Sequence, residues 1–97
     1  GIVTTEEELE AFFIVKSIIR SVVTSDRITY KDTRSYFGVQ IDNNVRKTVV
    51  RFYFNQPKNK RIAIILEDKS ERMYKVQTLD EIYNYADELT EAAKRYV

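Results

Sequence analysis

Two helix-start signatures stand near the ends of this 97-residue chain, and between them apolar residues recur at every second position. Thr5 is followed three residues on by Glu8, and Thr78 by Glu81. In such a pair the hydroxyl caps the first turn of a helix and the carboxylate reaches back to the cap's own N–H. Alternation by twos instead places one residue set on each face of a strand. The chain is thereby read as a sheet with a helix before it and a helix after it.

The first helix is expected over about residues 6–23. Glu6, Glu7 and Glu8 suit its positive end. Leu9, Phe12, Phe13, Val15, Ile19, Val22 and Val23 make its apolar face, with Glu10, Ser17, Arg20, Ser21 and Thr24 opposite. In the last helix, Leu79, Ile82, Ala86, Leu89, Ala93 and Tyr96 recur at helical spacing, and Lys94 and Arg95 suit its negative end.

Between them, Ile28 and Tyr30 alternate with Thr29 and Lys31, and Phe37, Val39 and Ile41 with Gly38 and Gln40. Asp42, Asn43 and Asn44 signal a turn. From Lys47 to Phe54, Val50, Phe52 and Phe54 are expected on one face, and Lys47, Val49, Arg51 and Tyr53 on the other. Asn55 to Lys60 form a loop holding the only proline, Pro57. Ile62 to Leu66 are apolar on both faces, as in a covered central strand. Residues 67–70 turn the chain into a last strand, residues 72–76. The fold class is α+β: an antiparallel four- to five-stranded sheet flanked by N- and C-terminal helices, in the order α-β-β-β-β-α, with short connections favouring a meander. If both helices covered one face, Ala63 and Ile65 would meet water. Either the helices take opposite faces or a partner covers the second one, so a protein-interaction or homodimer module is one functional alternative.

Composition excludes much chemistry. The chain has no cysteine and no histidine, hence no thiol nucleophile, no imidazole base and no soft metal site. Its glycines are Gly1 and Gly38, so no glycine-rich phosphate loop exists. No cofactor and no metal are expected. The longest apolar runs, Ala11–Val15 and Ile62–Leu66, are too short to cross a bilayer, and no membrane partner is expected. Residues 1–97 are read as one domain, and the opening Gly1 in place of Met as a sign of excision from a longer protein.

The net charge is +1, unevenly spread. Residues 27–61 hold nine basic side chains against Asp32 and Asp42, a local excess of +7, while residues 1–26 and 62–97 each carry −3. Cations so grouped, interleaved with tyrosines, fit phosphates and bases. Arg34, Arg46, Lys47, Arg51, Tyr53, Lys58, Lys60 and Arg61 are the candidate nucleic-acid-binding residues, with Lys58, Lys60 and Arg61 the densest group. Solvated strand faces and edges carry Lys and Arg for structural reasons as well.

A catalytic alternative rests on Glu67 and Lys69 after the apolar strand. This Glu-x-Lys resembles the second half of the PD-(D/E)xK nuclease motif, which implies Mg²⁺ held by that Glu and an upstream Asp, with the Lys orienting water. Asp42 is the upstream candidate. No proline precedes it, it falls in a turn, and Glu67 to Ser70 also read as a hairpin turn.

Residues 27–47 and 51–55, with residues 5–12 and 79–83, also resemble the C-terminal region of the type I restriction enzyme R-subunit-like proteins of bacteria and phages. The resemblance implies a bacterial cytoplasmic setting beside DNA-processing machinery. It also implies a nuclease motif in a separate N-terminal domain, which argues against one at Glu67 and Lys69. The expected function is a non-catalytic accessory domain that binds DNA through its basic sheet and loop surface, with DNA and the remainder of the parent protein as partners. Within the matching stretch, Gly38 reads as a bulge or close backbone approach, and Asn43 and Asn44 as turn formers.

Overall fold

The computed structural model describes residues 2–97. Helix α1 spans Glu6–Ile19 and opens on the expected capping box. The Glu8 N–H donates to Thr5 Oγ1 at 3.1 Å, and the Thr5 N–H donates to Glu8 Oε1 at 3.0 Å. The helix ends four residues before the expected limit. Ser17 and Ser21 hydroxyls donate back to the carbonyls of Ile14 and Ile18, competing with the helical ladder. The β-branched Val22, Val23 and Thr24 that follow propagate a helix poorly. Val23 still reaches the core. Phe13, expected on the apolar face, is 59% exposed, and Ala11 takes the inward position instead.

A short 3₁₀ turn, Ser25–Arg27, leads into strands β1 (Ile28–Asp32), β2 (Phe37–Ile41), β3 (Asn44–Tyr53), β4 (Arg61–Ile65) and β5 (Glu71–Lys75). They lie in sequence order, and every neighbouring pair is antiparallel. The α+β class and the meander are as expected, with five strands.

Two tight turns fix the register. Asp42 and Asn43 both take positive φ, 59° and 53°, between the paired Ile41 and Asn44, the geometry a two-residue hairpin requires. At the β4–β5 turn the Leu66 N–H donates to the Ser70 carbonyl, and Lys69 sits at φ 73°.

The β2–β3 pairing slips twice: Val39 faces Val50, Gln40 faces Thr48, and Ile41 faces Asn44. Val49 therefore has no cross-strand partner and turns into the core, where it is fully buried. Plain alternation had placed it beside Arg51, and the bulge corrects that placement. The irregularity lies at Val39, Gln40 and Ile41 rather than at Gly38.

The C-terminal segment is not one helix. Leu79–Tyr85 winds as a 3₁₀ helix before α2, Ala86–Lys94. Glu81 performs the carboxylate half of its box, accepting from the N–H groups of Thr78 and Gln77. The tighter winding accompanies a tertiary contact: Tyr85 stacks on Tyr74 of β5 with ring centroids 4.1 Å apart.

Both helices pack on one face of the sheet. Phe12, Val15 and Ile19 of α1, Ile82, and Leu89, Ala92 and Ala93 of α2 share one cluster with Phe37, Val39, Ile41, Val50, Phe52, Ile62 and Ile64. Across the strands runs an aromatic stack, Tyr30–Phe37–Phe52–Phe54, with centroids 4.9, 5.6 and 5.2 Å apart. Each such pair adds about 0.5–1.5 kcal/mol beyond burial. The other face of the sheet carries no helix among the described residues. Among the described residues, no helix is long and apolar enough to cross a membrane.

Candidate nucleic-acid interface

The open face is built by register. Lys31, Gly38, Arg51, Ala63 and Met73 form one row across all five strands, and Tyr53, Arg61 and Lys75 form the next. Tyr36, immediately before β2, falls opposite Tyr53, and their rings lie 6.0 Å apart.

These side chains interleave. The Arg51 guanidinium lies over the Tyr36 ring at 5.0 Å, and that of Arg61 over the Tyr53 ring at 5.4 Å. Arg51 Nη1 donates to Glu71 Oε2 at 3.0 Å, and the Tyr53 hydroxyl donates to the same oxygen. Arg61 rests against the sulfur of Met73, itself 41% exposed. Burial alone would lower the Arg51 pKa, but the Glu71 carboxylate together with Tyr36 and Tyr53 outweighs it and leaves the value raised. Burial and then Glu71 push the Tyr53 phenol above the usual tyrosine range. Arg51 stays cationic and Tyr53 neutral through the physiological range.

This lattice answers the packing question. Ala63 and Ile65 are 0% and 3% exposed although both helices lie on the far side. The long side chains of the open face cover the small and branched residues beneath them. Ala63 and Ile65 therefore present no exposed apolar patch, and the observation that suggested a homodimer face is absent.

The sequence candidates separate into groups. Arg51, Tyr53 and Arg61 come together on the open face. Arg46 lies at the irregular start of β3, exposed, with its carbonyl accepting from Lys69 Nζ at 3.0 Å. Lys47 pairs with Asp42 at 2.9 Å. Arg34 is exposed in the β1–β2 connection, and Lys58 in the β3–β4 loop. Lys60 is drawn to Glu7 on α1, so Lys58, Lys60 and Arg61 do not act as one cluster.

Of the nuclease trio, Asp42 accepts two hydrogen bonds from Arg27, at 2.8 and 2.9 Å, and one from Lys47. The Arg27 contact, then Lys47, hold its carboxyl far below the ordinary carboxylate range. Glu67 stands exposed in the β4–β5 turn. Lys69 donates to the Arg46 carbonyl and to the Tyr96 hydroxyl. Among the described residues, no three Asp or Glu side chains group to hold a metal ion.

Sequence reasoning missed Tyr36, Lys31, Lys75, Met73 and Glu71 as members of this face. Alternation in β1 and β5 carries part of that signal, but only the pairing register brings the five together. The contact of Lys69 with Tyr96 spans 27 residues and leaves no local trace.

Charge follows the layers. The open face and its rim carry Lys31, Arg46, Arg51, Arg61, Lys69 and Lys75, with Glu71 among them and Glu67 and Asp68 in the turn that holds Lys69. The helical layer carries Glu6, Glu7, Glu8, Glu10, Asp80, Glu81, Asp87, Glu88 and Glu91 against Lys16, Arg20, Lys94 and Arg95. Comparison of this chain with family models, curated proteins and solved structures finds no match.

Proposed function

We propose that this domain binds single-stranded DNA on the open face of its sheet, as a non-catalytic accessory part of a larger restriction-type protein. The observation that carries the reading is the interleaved set Tyr36, Arg51, Tyr53 and Arg61 on a face that no helix covers. Tyrosine rings and guanidinium planes offer stacking surfaces to unpaired bases, and the surrounding cations attract the phosphates between them. The acidic helical layer repels the same backbone and so orients the encounter. Duplex DNA is a poorer fit, because its bases are already stacked and a flat sheet enters neither groove. The resemblance to the R-subunit-like proteins supports DNA as the strand and the parent protein as the setting.

The test is fluorescence anisotropy with a labelled strand of about twelve nucleotides, a length several stacking positions require, at about 50 and about 200 mM salt. The expected result is binding that prefers single strand over duplex and weakens steeply with salt. Arg61→Ala with Lys75→Ala lowers affinity and flattens the salt slope by about one for each phosphate contact removed. Lys60→Ala, on the helical side, leaves both unchanged. Absence of salt-dependent binding, or equal loss in Lys60→Ala, overturns the reading.

A further inference from the structure

At one end of the open face, between the irregular start of β3 and the β4–β5 turn, lies a cavity of about 380 Å³ lined by Val45, Arg46, Thr48, Arg51, Ile65 and Lys69. Two other cavities contain carboxylates: Glu8 and Asp32 in one beside α1, and Asp87, Glu88 and Glu91 in one beside α2. This cavity has three cations on its wall and no acid.

The state of those cations distinguishes it further. Among the described residues, neither Arg46 nor Lys69 pairs with a carboxylate. Lys69 Nζ is held by neutral acceptors alone, the Arg46 carbonyl and the Tyr96 hydroxyl, each at 3.0 Å. Arg51 differs, because its Nη1 is engaged by Glu71. Cations around a pocket that holds no carboxylate call for an anion. The lining, however, also includes Val45, 56% exposed, an apolar surface that an inorganic anion would leave unused.

We infer that this cavity seats one nucleoside monophosphate unit. Its base lies against Val45, and its phosphate takes Arg46 and Lys69. The volume falls within the range of small-ligand pockets, about 300–1,000 Å³. The inference rests on the proposed DNA-binding reading for one of its two sources of ligand: the end of a bound strand. A free nucleotide is the other source, with the same chemistry.

Titration of the chain with 2′-deoxyadenosine 5′-monophosphate, followed by ¹⁵N NMR of the backbone amides and of the arginine Nε–H groups, tests it. The expected result is a shift of the Arg46 Nε–H resonance together with the amides of Arg46, Thr48 and Lys69. Deoxyadenosine and inorganic phosphate each bind at least about tenfold more weakly, since each supplies half of the contacts. Lys69→Gly, which relieves a positive φ and so keeps the fold, weakens binding of the monophosphate by at least about tenfold. Inorganic phosphate that binds as tightly as the nucleotide, or a nucleotide that moves none of these resonances at about 10 mM, well above a millimolar Kd, overturns the inference. A strand carrying a 5′-phosphate separates the sources. If it displaces the monophosphate, the site serves strand ends; if the monophosphate binds and strands do not, the site serves free nucleotide and the open-face reading fails by itself. Strand binding without nucleotide binding removes the pocket and leaves the open face standing.

Discussion

Glu71 carries the negative charge at the centre of the basic face, shared between Arg51 and the Tyr53 hydroxyl. Its carboxylate fixes two side chains that would contact DNA, but it also repels the phosphates. Glu71→Gln keeps an acceptor and removes the charge, so affinity for single-stranded DNA rises by about three- to tenfold at low salt, read by anisotropy titration. Gly38 makes a second residue-scale point. The sequence suggested a bulge or close backbone approach there, yet a Cβ at this position would meet Tyr36 Cε1 at 3.4 Å, an ordinary contact, and Gly38 is not among the positive-φ residues. Gly38→Ala therefore leaves the melting temperature unchanged or raises stability by about 0.4–1 kcal/mol, through the reduced freedom of the unfolded chain. Chemical denaturation decides between this and a loss. Asp42 and Asn43 were legible as turn residues because their side chains tolerate positive φ. The occupant of the space over Gly38, Tyr36, was not legible, because a ring's direction depends on its neighbours across the strands.

At the scale of elements, the helix starts and the strands are legible in local pattern, and the departures occur where tertiary packing overrides it. The bulge in β3 is the clearest case. Alternation places Val49 with Arg51 on the open face; the slipped register buries it completely. Val49→Ala consequently costs about 2 kcal/mol in urea unfolding, as for a core truncation, whereas Val45→Ala, at an exposed position, stays within about 0.5 kcal/mol. Equal effects at the two positions would restore plain alternation. The shortened α1 is instead a local effect, and the 3₁₀ winding of Leu79–Tyr85 a tertiary one. Serine back-bonding ends the one, and the Tyr74–Tyr85 stack accompanies the other. Helical periodicity read from single residues does not contain these effects. The bracing at the start of α1 was legible: Thr5→Ala removes the reciprocal bond with Glu8 and costs about 1 kcal/mol.

In the whole molecule, the chain folds charge into two layers, and segment totals in the sequence showed only part of this. The basic excess of residues 27–61 is split, because Lys60 turns to the helical side and Arg27 and Lys47 converge on Asp42. Lys69 and Lys75, outside that segment, complete the face. Arg27 also donates to the Tyr96 carbonyl at 2.8 Å, so the Asp42 turn is tied to the C-terminus. Because Asp42 titrates far lower in the fold than in the unfolded chain, its contribution to stability is complete above the unfolded value, about 4. It is lost as pH falls below that value toward the folded one. Asp42→Asn should flatten this acid limb in denaturation measured between about pH 4 and pH 2.

The chain holds one methionine, Met73, and it lies in the middle row of the open face, 41% exposed. Its methyl resonance, followed with the ring resonances of Tyr36 and Tyr53 during titration with single-stranded DNA, reads the proposed surface directly. The open-face account predicts that all three shift together and saturate with the affinity seen by anisotropy, while the rings of Phe13 and Tyr83, exposed on the helical elements, stay in place. Bound DNA that leaves Met73, Tyr36 and Tyr53 unmoved, or that moves Phe13 and Tyr83 instead, would contradict it.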